Sequence, residues 1–185
     1  MSDSILTDDI RALVGFAGER IEVTFPWGIE REGLRTFTQA IMDRDARYWD
    51  EDFAKSTRFG GLVTPPIYVA YLGRRSPPGS EDTITAAYAA NPNSDGIGGV
   101  ARAESKGGLP PIRTTLKRVL NAGNEIEVRS YPKIGDRIFS QGRYASIRER
   151  VTDDGAPMII ITTETTYTDQ DGAVLCILRA SQIRR

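Results

Sequence analysis

The chain has 185 residues, 39% apolar and 26% charged, which fits a folded globular protein and excludes a disordered or fibrous one. Twenty-four basic residues against 25 acidic leave a formal charge of −1, so no bulk field is available to hold a nucleic-acid backbone or an anionic membrane. There is no histidine and only one cysteine, which removes imidazole acid–base work, His-based triads, thiolate zinc sites and an intrachain disulfide, and no metal site is expected.

Met1 to Ile10 carries three aspartates where a secretory signal would be positive. No run of about 18 apolar residues occurs, so a cytoplasmic chain without a spanning segment is expected. At about 100–150 residues per domain, a single domain over 1–185 is predicted. A strand is placed near Glu19–Phe25. Leu34, Phe37 and Ile41, with Ala40, fall at helical spacing and predict a helix over Glu30–Met42. A short second helix is read over Tyr48–Ala54. Thr64 suits an N-cap, Pro65 the first helical position and Gly73 a left-handed stop, with only apolar or aromatic residues between. A helix without a charged face must be enclosed by other structure.

Ser76–Leu116 is rich in Gly, Pro, Ser and Asn and shows little periodicity, as in a functional loop or lid. Strands are then read over Glu125–Ser130, Asp136–Arg150, Met158–Thr168 and Ala173–Ile183. Turns at Thr152-Asp153-Asp154-Gly155 and Asp169-Gln170-Asp171-Gly172 join the last three into an antiparallel meander. The apolar Pro66–Leu72 helix needs a wrapper and the sheet needs a filling. Together they predict an α+β hot-dog fold, a curved antiparallel sheet around a central apolar helix, with an insertion at about 76–116.

Three stretches carry a resemblance. They are Thr38 to Tyr48, Phe59-Gly60-Gly61-Leu62-Val63-Thr64-Pro65-Pro66, and Leu120 to Val128 followed by Tyr131-Pro132-Lys133-Ile134-Gly135-Asp136. In order and spacing they resemble the MaoC-like hydratase/dehydratase family, and more narrowly its N-terminal-type domain, over roughly Ile21–Ile183. The resemblance implies chemistry on an (R)-specific 2-enoyl thioester, with water added across the double bond or removed. The thioester is carried on coenzyme A or acyl carrier protein, and no cofactor is needed. In active members an Asp and a His five positions apart flank the catalytic water. A backbone N–H at the start of the central helix holds the thioester oxygen.

Asp43 matches the family's Asp, but Tyr48 stands at the position of the His. An unperturbed tyrosine has a pKa near 10, unsuited to a proton shuttle at neutral pH. Pro65-Pro66 replaces the His-Gly of the helix start, and proline has no N–H to offer. The resemblance therefore points to the substrate-binding, non-catalytic half of a two-part enzyme, paired with a His-bearing MaoC-like chain. Alternatives are a self-contained homodimeric hydratase using Asp43, with Tyr48 or solvent as the acid, and a hot-dog acyl-CoA thioesterase.

Asp43 lies at a helix end, where a carboxylate is electrostatically unfavourable, and reads either as a site residue or as a turn residue beside Asp45. Gly60 and Gly61 either make a turn or allow close approach of a ligand. Pro65 and Pro66 start the helix in either case. Arg113 and Arg118, in a basic stretch with Arg102, Lys106 and Lys117, are candidates for a carrier phosphate or for a solvated face. The 76–116 insertion suggests a bulky or ring-bearing acyl group. Ile159, Ile160 and Ile161 are consecutive, which reads as a strand covered on both faces and predicts an obligate dimer of hot dogs; cover by the 76–116 segment is the alternative.

Overall fold

A computed structural model describes residues 4–24, 26–72, 79, 83–92, 108–152 and 154–185. The chain begins with helix α1 (Asp8–Ala12) and the two-residue strand β1 (Ile21–Glu22). Helix α2 (Arg31–Ala40) follows, then a 3-10 turn (Ala46–Tyr48), α3 (Glu51–Ser56), α4 (Tyr68–Leu72) and α5 (Thr83–Ala90). Strands β2 (Val119–Val128), β3 (Phe139–Val151), β4 (Pro157–Thr168) and β5 (Val174–Arg184) complete it. The five strands form one antiparallel sheet in the order β1-β3-β4-β5-β2. This is the α+β arrangement expected from the meander.

The two hairpins close as their turn residues dictate. Gly155 and Gly172 sit at φ +82° and +84°, where a side chain is strained. Asp169 accepts the amides of Asp171 and Ala173 at 3.0 and 2.8 Å. Asp153 lies outside the described residues. So do Phe25, at the end of the first expected strand, and Gly73, the expected helix stop.

Strand β2 starts at Val119, six residues before the expected Glu125. The polar run Asn121 to Asn124 imitates a turn but is a bulge. The register with β5 shifts between Asn121 and Gly123, Gly123 takes φ +118°, and its N–H donates to Asn121 Oδ1 at 2.9 Å.

The central helix is shorter than expected. Thr64 caps nothing: its N–H donates to the Pro132 carbonyl at 2.8 Å, and its buried hydroxyl has no hydrogen-bond partner among the described residues. Residues 63–64 instead run beside 132–133, with Val63 bridged to Lys133, and helical structure begins only at Tyr68. Enclosure holds, since Tyr68, Val69, Ala70 and Leu72 are all buried. They pack with Ile138, Tyr167, Leu175 and Cys176 at one end of the sheet.

Part of the expected 76–116 loop is ordered structure. Thr83–Ala90 is helical, as a run with four alanines favours. Leu109, Ile112 and Leu116 form a strap that packs, with Leu6 and Ile10 of the N-terminal segment, on Ile159 and Ile161. Both isoleucines are 0% exposed. They are therefore covered by the chain itself, as in the alternative reading above. Residues 76–78, 80–82 and 93–107 of that region, Arg102 and Lys106 among them, lie outside the described residues.

Candidate functional site

The residues matching the family's acid–base pair lie in the link between α2 and α3. Helix α2 ends with Met42 in the left-handed region, at φ +56°, which turns the chain so that the Asp43 N–H reaches the Thr38 carbonyl at 3.0 Å. The Asp43 carboxylate is half-buried and accepts the Asp45 N–H at 3.0 Å. Asp45 in turn caps the 3-10 turn through the Arg47 N–H at 3.0 Å and grips the Arg47 guanidinium. This ion pair holds the Asp45 carboxyl below its ordinary range and the arginine above its own.

Tyr48 ends the turn and is 6% exposed. Burial pushes its phenol above the ordinary 10.0; the Arg47 charge opposes this, while Asp45 and Asp43 add to it. A phenol moved in this direction stays protonated at neutral pH and gives up its proton less readily than free tyrosine.

Arg47 organises the corner around it. Its guanidinium lies 5.5–5.8 Å from the ring centres of Tyr131, Tyr48 and Phe59. Phe59 and Tyr131 are themselves 5.1 Å apart. The Arg47 carbonyl accepts the Val63 N–H at 3.2 Å, which ties the turn to the segment entering Pro65. Pro65 is buried and accepts the Tyr68 N–H at 2.9 Å. The Pro66 carbonyl faces the Cys176 thiol at 3.9 Å. Burial raises that thiol to about 11, so it is inert at neutral pH.

Two cavities flank this corner. One, of about 280 Å³, is lined by Phe59, Gly60, Gly61, Leu62, Lys133 and Ile134, with Arg31, Glu51 and Lys55. The other, of about 400 Å³, runs between α2 and α4. Phe37, Ile41, Tyr68 and Tyr71 line it, and Phe37 stacks within 4.9 and 5.1 Å of the two tyrosines. Gly33 is required here, because a Cβ would stand 2.7 Å from the Tyr68 hydroxyl.

The structure thus gathers Asp43, Tyr48, Gly60, Gly61, Pro65 and Pro66 at one end of the sheet. Arg113 and Arg118 sit at the other. Arg113 follows Ile112 of the strap, and Arg118 exchanges backbone hydrogen bonds with Arg185. Eight residue steps along β5 separate Cys176, beside Pro66, from Arg184, a span of about 27 Å at the usual rise per residue. Sequence reasoning missed Arg47, although it adjoins Tyr48, and did not single out Lys133 within the motif that contains it. Among the described residues, no cluster of Cys, Asp and Glu is suited to a metal ion, and no helix is long and apolar enough to cross a membrane.

The family described as "FAS1-like, dehydratase domain region" matches residues 16–178. The chain belongs to that family. No curated protein matches it. Among solved structures it is similar to the ChsH1-ChsH2 complex from Mycobacterium tuberculosis, at TM-score 0.67 and 14% identity, with 96% of each chain covered. It is also similar to the MaoC-like dehydratase from Rhodospirillum rubrum, at 0.54 and 18%, covering 92% of this chain and 90% of that one. A third is the HadBC (3R-hydroxyacyl-ACP dehydratase) complex of M. tuberculosis, at 0.54 and 16%, covering 90% and 95%. The fold is the hot dog of the MaoC-like dehydratases, and the matched family is a dehydratase domain region.

Proposed function

We propose that this chain is the substrate-binding, non-catalytic half of an (R)-specific 2-enoyl-thioester hydratase or 3-hydroxyacyl-thioester dehydratase, completed by a His-bearing MaoC-like partner. The observation that carries the reading is Tyr48. It stands where the family places its histidine, buried and with its phenol raised away from neutrality. Two further facts support it. Pro65 and Pro66 offer no N–H where the family places its oxyanion donor. Two of the similar structures are complexes whose names join two components.

The partner is expected on the free edge of β2. That strand pairs with β5 on one side, and among the described residues no strand pairs with its other side, at the edge of the sheet. Antiparallel pairing with an equivalent strand sets the Val119 end of one chain beside the Val128 end of the other. Arg118 and Arg113 then approach the partner's site rather than their own, and there they serve the substrate. The substrate is a coenzyme A or acyl-carrier-protein thioester, and no further cofactor takes part. Gly60, Gly61, Pro65 and Pro66 line this chain's share of the acyl-thioester site, with Asp43 beside it.

The test is activity by reconstitution. The purified chain is expected to leave the enoyl absorbance of a 2-enoyl-CoA unchanged, and to support hydration once a His-bearing MaoC-like subunit is added. Full turnover by the isolated chain overturns the reading. Release of free coenzyme A without loss of enoyl absorbance would indicate a thioesterase instead.

A further inference from the structure

Phe59 belongs to two unlike neighbourhoods. Toward Tyr131 it closes the Arg47 corner, where the guanidinium is saturated by Asp45. It also lines the 280 Å³ pocket, where charge is not balanced. Three cations line that pocket, Arg31, Lys55 and Lys133, against one carboxylate, Glu51. Arg31 and Lys55 both engage Glu51, and Lys55 also reaches Asp52, fully exposed beyond the lining, at 3.6 Å. Lys133 forms no ion pair among the described residues. Arg58 adds a cation at the rim, 4.9 Å from the Phe59 ring centre.

Two glycines, Gly60 and Gly61, belong to the lining. A Cβ at Gly60 or Gly61 would meet nothing within 4 Å, so both lining positions have open space around them. Leu62 and Ile134 supply apolar contact in the same pocket. An aromatic ring, two apolar side chains and an excess of cations suit an anion attached to an organic body. The volume lies near the lower end, about 300 Å³, of small-molecule sites, so one end of a larger ligand fits rather than the whole.

We infer that this pocket holds the phosphate-bearing end of the carrier to which the acyl group is attached, an inference that rests on the thioester reading above. A phosphate between Lys133 and the Arg31–Lys55 pair makes charge-assisted hydrogen bonds on both sides. The organic part beside the phosphate lies against Phe59, Leu62 and Ile134. This places a carrier contact on the same chain and at the same end as Asp43 and Tyr48, where Arg113 and Arg118 of that chain do not reach. Two carriers share this chemistry, the phosphorylated nucleotide of coenzyme A and the phosphopantetheine arm of a carrier protein.

The experiment is a titration of the full chain with 3′-phosphoadenosine 5′-phosphate, with 4′-phosphopantetheine and with inorganic phosphate, followed by backbone amide shifts. One of the two carrier fragments is expected to move Gly60, Gly61, Leu62 and Lys133, and the tighter one identifies the carrier. Lys133→Glu is expected to weaken it at least ~tenfold, as loss of a charge-assisted contact implies. Gly61→Leu adds bulk to the lining and is expected to do the same; Gly61 is chosen over Gly60 because it is not in the left-handed region. Unchanged affinity in both variants overturns the inference, as do shifts confined to other residues or inorganic phosphate binding as tightly as either fragment. In the reconstituted enzyme both variants should raise KM. Activity with neither KM nor fragment binding altered rejects the pocket but spares the function. Fragment binding as expected without activity in any assembly rejects the function alone.

Discussion

On the inner face of the sheet β4 presents Ile159, Ile161 and Tyr167, each buried in an apolar cluster, whereas on its outer face the same strand presents Ile160, Thr162, Glu164 and Thr166. The inner clusters are closed by α4 at one end and by the strap and N-terminal segment at the other. The outer face carries a row of alternating charge across four strands, Arg143, Glu164, Arg179 and Glu125, in direct register. Glu164 accepts from both arginines at 2.8 Å and is 9% exposed. Apolar burial therefore holds one face, and an ion network centred on the nearly buried Glu164 holds the other. The consecutive isoleucines of β4 report cover by the chain itself on the inner face, and the case for a partner rests on the β2 edge and the incomplete site.

The largest expected effect breaks the inner face. Ile161→Ala should cost about 2–5 kcal/mol, the usual range for a fully buried aliphatic residue, and denaturant titration of the isolated chain measures it. A loss under about 1 kcal/mol would mean that the strap and N-terminal segment do not seal that end.

The outer face should respond to pH. Burial alone would raise the Glu164 carboxyl, but the hydrogen bonds and charges of Arg143 and Arg179 outweigh it and hold the group below its ordinary 4.5. A carboxyl lowered on folding stabilises fully above that ordinary value, and the contribution drains away as pH falls from there through the lower folded value. Glu164→Gln should therefore flatten the acid limb of the stability curve and cost about 1–3 kcal/mol at neutral pH. An acid limb identical to that of the wild type would remove the network from the account.

The contrast between the faces also explains what the residues alone could convey. The meander of β3, β4 and β5 was legible because period-two alternation and Asp/Gly turns are local signals. The start of β2 was not, since Asn121 to Asn124 uses turn residues to make a bulge that only pairing with β5 defines. Thr64 looked like a cap because its neighbours are prolines, yet its amide is taken by Pro132, 68 positions along the chain. Asp43, Tyr48 and the prolines were found through the family pattern, which records their spacing. Lys133, Arg31 and Lys55 were not, because their pocket is assembled from α2, α3, the 59–62 loop and the 133–134 segment, and no single stretch carries its signature.

The central claim is that this chain binds substrate while the chemistry is done elsewhere. It is tested most directly by Asp43→Asn in the reconstituted two-chain enzyme, reading kcat on a 2-enoyl-CoA. Asp43 is half-buried and holds the Asp45 N–H, an acceptor role that an asparagine oxygen can keep, so the fold should tolerate the change. The account predicts a kcat loss well short of the ~10²–10⁴-fold that a general acid or base supplies. A loss within that range, with the partner's own site intact, would contradict it and make Asp43 a catalytic residue.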